Sequence, residues 1–161
     1  MYMEIARRLH MPVYGIGLPR HFVLQFDDGN YSTYIDPFHG GRAITATECY
    51  ELAGATVPDP GLLQRVTKKY IAMRMLRNLS EVYLRAGDYQ RAVTSIDLLL
   101  EGAPDAATFY RQRGFAQVKL QHFQAARKDL EKYLNLEPAA ADREDILRQI
   151  QAIHRWLAQV N

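Results

Sequence analysis

Cysteine is almost missing from this sequence: its 161 residues include one, Cys49. A single thiol excludes an internal disulfide and fits a reducing compartment, so a cytoplasmic location is expected. An excess of either charge is missing too. The 20 basic and 18 acidic residues leave a net charge of +2, which gives no general electrostatic reason to bind nucleic acid or a membrane surface. No apolar run approaches the roughly 18 residues of a membrane-crossing helix. Glu4, Arg7 and Arg8 break up the amino-terminal apolar pattern and exclude a signal-peptide core there.

What remains is an ordinary globular composition, 48% hydrophobic and 24% charged. A chain of this length buries roughly 70% of its unfolded surface, so it needs no staple, and neither a metal nor a cofactor is expected. "MYMEIARRLHM" reads as a helix with Met3, Ile5, Ala6 and Leu9 on its apolar face. It opens without a cap, as the tail of a longer element would.

From Val13 the period changes to alternation. "HFVLQFD" and "NYSTYID" flank Asp28-Gly29, a preferred two-residue hairpin turn, and "VYGIGLP" (13–19) adds a third short strand. With that turn Phe26 faces Tyr31, Leu24 faces Thr33 and Phe22 faces Ile35, forming a largely apolar face. The other face, expected to be exposed, carries His21, Val23, Gln25, Ser32, Tyr34 and Asp36. A Gly29-Asn30 turn would slide the pairing by two residues. In the first register His21 lies opposite Asp36, about 5 Å away between Cβ atoms. A carboxylate that orients an imidazole is the base-and-orienter half of a cysteine-dependent acyl-transfer site. The simpler alternative is a structural pair closing the hairpin.

Cys49 lies in "TATECYELAG", where a Thr45-x-x-Glu48 capping box starts a helix near Ala46. Next to Glu48 and among apolar neighbours it reads as a core residue, not a nucleophile. The glycines of "DPFHGGR" offer either an anion-binding nest or, more simply, the positive φ of a connecting loop.

Pro58 and Pro60 mark a boundary, giving an α+β segment over 1–57 and a helical segment over 58–161. In the second segment Ser80, Gly87, Tyr89, Ala92, Ile96 and Pro104 recur 34 residues later as Gly114, Gln121, Phe123, Ala126, Leu130 and Pro138. This period and its small, aromatic and proline positions resemble the tetratricopeptide repeat, with repeats at about 73–106 and 107–140. A capping helix at about 141–160 seals the end with Ile146, Ile150, Ile153 and Leu157. Trp156 is expected in the core. The groove-lining face displays Arg74, Arg77, Glu81, Arg111, Phe115 and Lys119. The cations on it fit an acidic or carboxylate-bearing peptide; the alternative is a solvated face or one paired internally.

"YMEIARRLHMPVYGIGLPRHFVLQF" followed by "YIDPFHGGRAIT" resembles the transglutaminase-like domain of the SirB1 family. "MLRNLSEVYLRAGDYQRAV" and "YRQRGFAQVKLQHFQAARKDLEKYLNLEP" resemble the helical repeats that follow it there. The resemblance implies a cysteine, histidine and aspartate in that order. His21 and Asp36 match the second and third, and nothing matches the first, as in an amino-terminally truncated member. His10 stands where the family has glycine, and Gln112 of "RQRG" where an aspartate is usual. The fold expected is a small antiparallel sheet with flanking helices, a transglutaminase-like remnant, packed on a tetratricopeptide-type stack. Two functions follow. One is a non-catalytic interaction protein; the other is a fragment of a transglutaminase-like or protease enzyme whose nucleophile lies upstream of Met1.

Overall fold

Alternating and helical periods divide the chain, and the computed structural model, which describes residues 2–160, follows that division. Helix α1 (Tyr2–Arg8) leads into a four-stranded antiparallel meander of β1 (Val13–Ile16), β2 (Val23–Asp27), β3 (Ser32–Asp36) and β4 (Arg42–Ile44), ordered β1-β2-β3-β4. Next come α2 (Ala46–Ala53) and a 3-10 turn (Pro60–Leu63). Five helices complete the chain: α3 (Lys68–Ala86), α4 (Tyr89–Gly102), α5 (Ala107–Lys119), α6 (Phe123–Leu136) and α7 (Arg143–Val160). The class is α+β. No helix among the described residues is long and apolar enough to cross a membrane. The chain forms two compact units, Met1–Ala72 and Met73–Asn161.

In the first unit the hairpin uses the later turn. Leu24 pairs with Ile35, Phe26 with Thr33 and Asp27 with Ser32, two residues away from the Asp28-Gly29 register. The Asp28 carboxylate decides this, accepting from the Asn30 and Tyr31 amides at 2.9 and 2.8 Å and so holding Asp28 to Tyr31 as the loop. The face expected to be exposed is instead buried at Val23 and Asp36, while Ser32 near the turn stays exposed. Val23 packs with Ile16, Leu18, Ile44 and Cys49, with Tyr34 and Leu52 against them, because α2 covers that side of the sheet. The Thr45–Glu48 capping box is present, with both reciprocal hydrogen bonds. β4 is a strand where the sequence indicated only a loop, and Gly40 and Gly41 in the turn before it have φ of 72° and 73°.

α1 buries less than its pattern implies. Ala6 is buried, yet Ile5 and Leu9 are 49% and 64% exposed, since α1 meets the sheet chiefly along β1. The stretch after Pro58 still belongs with the sheet. Val66 donates to the Gly15 carbonyl at 2.9 Å, and the Arg65 guanidinium lies 3.7 Å over the Tyr14 ring. The compact units therefore part after Ala72, later than the prolines indicated.

In the second unit α4 starts at Tyr89 and α6 at Phe123, which keeps the 34-residue phase. Ile96, Leu99 and Leu100 form one core with Met73, Leu76 and Leu84. Ala126, Leu130, Tyr133 and Leu134 form another, closed by Ile146, Ile150 and Ile153 of α7 with Leu157 against them. Trp156 is not a core residue: it is 42% exposed, its ring 4.1 Å from that of Phe123. Its position on α7 lies off the stripe set by Ile146, Ile150 and Ile153.

Candidate functional site

Asp36 ends β3 with its side chain wholly buried, and three groups converge on its carboxylate. The Phe38 amide donates to Oδ1 at 2.9 Å, His39 Nδ1 lies 2.7 Å from Oδ2, and His21 Nε2 lies 3.2 Å from Oδ1. Burial alone would raise this carboxyl, but hydrogen bonds from His39, the Phe38 amide and His21 outweigh it and hold the group down to about 2. The charged form therefore persists inside the protein. His21 reaches it from the β1–β2 connection, ahead of the first residue of β2, and not from a paired strand position. The two imidazoles are nearly parallel, 16° apart with centroids separated by 6.1 Å, and the Phe38 ring stands edge-on to His21 at 5.3 Å.

The expected His21–Asp36 neighbours are thus together, and His39 joins them as a member that sequence reasoning missed. Its signal was the spacing Asp36-x-x-His39 across a glycine-ended turn, which folds the ring back onto the aspartate. Chemically the group can hold an imidazole in a fixed tautomer and accept a proton from a nearby nucleophile. Cys49 does not serve as that nucleophile. It is fully buried, and burial together with the Glu48 and Asp36 carboxylates pushes its thiol up to about 11, away from thiolate chemistry. His10 has φ of 56°, so the residue standing where glycine is usual occupies a left-handed backbone position.

On the repeat face, Arg77 and Lys119 are exposed and Arg74 is half-buried. Arg111 is engaged internally: its Nε lies 2.5 Å from Asp142 Oδ2, whose partner oxygen accepts from the Tyr133 hydroxyl at 2.7 Å. Phe115 packs against the α6–α7 core, with the Arg111 guanidinium 5.2 Å from its ring. Arg113, not singled out from the sequence, holds Asp129 through two bonds of 2.7 Å and Asp97 through one of 2.5 Å, tying α4, α5 and α6 together.

Residues 1–77 match the transglutaminase-like superfamily, and residues 79–151 match the tetratricopeptide repeat. A UPF0162 protein of Xylella fastidiosa is 35% identical over 145 residues, covering 85% of this chain and 52% of that protein. Human F-box only protein 21 is 34% identical over 116 residues, 65% of this chain and 18% of that one. The chain thus spans about half the length of the UPF0162 protein. Among solved structures, the C-terminal TPR-containing domain of a Plasmodium falciparum protein named as FK506-binding has a TM-score of 0.50 at 20% identity. It covers 71% of this chain and 74% of its own, which shows the helical-repeat fold.

Proposed function

We propose that this chain is a non-catalytic protein-interaction protein of the SirB1 type, whose repeat groove takes an acidic or carboxylate-bearing peptide in the cytoplasm. The observation that carries the reading is the pair of exposed cations Arg77 and Lys119 on α3 and α5, with Arg74 beside them in the same repeat phase. The match of residues 79–151 to the tetratricopeptide repeat supports it. Arg111, already neutralised by Asp142, shapes the groove instead of binding charge. Exposed cations contribute about 1 kcal/mol or less each, so affinity should be micromolar and should weaken with salt. Fluorescence anisotropy with labelled acidic peptides checks this. Arg77→Glu combined with Lys119→Glu should abolish binding while leaving the helical signal intact. Equal binding of neutral peptides, or unchanged binding by the double variant, would sink the reading.

One arrangement favours a second reading. The buried Asp36 carboxylate beside His21 is the geometry of a base and its orienter, and an enzyme of the cysteine-dependent class would take its thiol from elsewhere in the whole protein. Iodoacetamide labelling of a cysteine other than Cys49, lost in His21→Ala, is the result this reading requires of the whole protein.

A further inference from the structure

We propose that His21, Asp36 and His39 bind one divalent transition-metal ion, with zinc the best fit. The imidazole nitrogens and carboxylate oxygen of these three residues all lie within 4.8 Å of one another. Ligand bonds of about 2.0–2.2 Å in a tetrahedral shell place donor atoms about 3.3 Å apart. The 3.2 Å separation of His21 Nε2 and Asp36 Oδ1 already meets that spacing. His39 Nδ1, at 2.7 Å from Oδ2, has to draw back from that oxygen by about half an ångström to admit an ion between them. Its side chain is 64% exposed and is followed by Gly40 and Gly41 at positive φ, so the ring can make that adjustment.

The donor set selects the ion. Two imidazoles and one carboxylate suit zinc and its first-row neighbours, whereas calcium and magnesium prefer all-oxygen shells. Asp36 is wholly buried, and a divalent cation would add a full positive charge to the donors that already converge on its carboxylate. The Phe38 amide at 2.9 Å fixes the carboxylate plane, as outer-shell donors do at metal sites. Exposure on the His39 side leaves room for water or an exogenous ligand to complete the shell. An ion held here would come between the His21 nitrogen and the Asp36 oxygen that face each other, so metal binding would replace the orienting contact that the cysteine-enzyme reading needs.

The test is calorimetric titration of zinc chloride into the chelator-treated 161-residue protein near neutral pH, with cobalt(II) absorption as a spectroscopic check. One equivalent should bind with a dissociation constant below about 0.1 mM. His39→Ala should weaken binding more than about ten-fold, with an unchanged circular dichroism spectrum because the replaced ring is exposed. Side-chain NMR should show His21 and His39 signals moving on zinc addition while those of His122 and His154 stay put. Lack of saturable binding, equal binding by His39→Ala, or shifts confined to other histidines would overturn the site.

Discussion

At the helix crossing of the first pair, α3 and α4, the buried residue is Ser80, whose hydroxyl donates to the Arg77 carbonyl at 2.8 Å. The same position in the second pair, α5 and α6, is Gly114, where an added Cβ would lie 2.9 Å from Leu130 Cδ2 and 3.3 Å from the Ala126 carbonyl. The loops differ likewise: Gly87 turns at φ 73° in one and Gln121 at φ 61° in the other. Asp88 caps α4 by accepting from the Arg91 amide, while His122 gives α6 no side-chain cap. Leu79 is an exposed apolar residue, and its counterpart Arg113 is the hub of an ion network. The repeat thus preserves backbone phase and leaves the chemistry at each position free. Its second copy adds a close approach at Gly114 and paired charge at Arg113, while the first rests on the apolar core of Met73, Leu76 and Leu84 with Ile96, Leu99 and Leu100.

The largest way to break the second pair is at Arg113. Asp129 is 6% exposed, and removing its partner strands a buried carboxylate, a loss of about 3–5 kcal/mol. Arg113→Ala should therefore lower the urea midpoint of the helical signal sharply, while Leu79→Ala, at the matching place, should cost well under 1 kcal/mol. Arg113→Met with Asp129→Leu should restore much of the loss, since an apolar pair leaves no charge unpaired. A small effect from Arg113→Ala would mean that the network is solvent-screened.

Gly114→Ser, which copies the first pair into the second, comes next. Overpacking against Leu130 should cost about 1–3 kcal/mol. The reverse exchange, Ser80→Gly, should cost less, through the difference in helix propensity alone. Equal losses from both exchanges would show that the crossings are equally close. Smaller again, and opposite in sign, is Gln121→Gly. It relieves a left-handed residue and should stabilise by about 1 kcal/mol, whereas Gly87→Gln should destabilise by a similar amount. Thermal melts of both variants read this directly.

The phase that makes these comparisons possible was legible in the sequence, as were the capping box at Thr45, the buried Cys49 and the sealing isoleucines of α7. Other features were hidden because they depend on one side chain competing for backbone amides. Asp28 shifts the hairpin register by two residues, and no propensity distinguishes its turn from the neighbouring one. β4 has three residues, too few for alternation to register. The buried identity of the Asp36 face depended on α2, which the strands alone do not reveal. His39 was seen only as part of a glycine loop. Two repeats alone place Arg111 in the groove; the phase carried one period further, from Thr108, places Asp142 at the start of the next segment, beside Arg111.

That last contact sets the smallest prediction. Arg77 and Arg111 occupy equivalent places, but among the described residues only Arg111 is seen to meet a carboxylate of the following segment. The Tyr133 hydroxyl, opposed by burial and helped by Arg111, holds the Asp142 carboxyl below its ordinary range. A folded-state pKa below the unfolded one contributes stability above the unfolded value near 3.9, and that stability is lost as pH falls through the folded one. Asp142→Asn should therefore be less stable than the wild type at pH 7 by about 1 kcal/mol or less, and the gap should close as pH drops below about 4. Urea titrations of both proteins at pH 7, 5 and 3 measure the gap. A difference that stays constant across that range would assign the contact to packing and hydrogen bonding alone. The groove would then keep Arg111 in place without its charge, and Arg77→Ala, which touches no such partner carboxylate in the following segment, should show no comparable pH dependence.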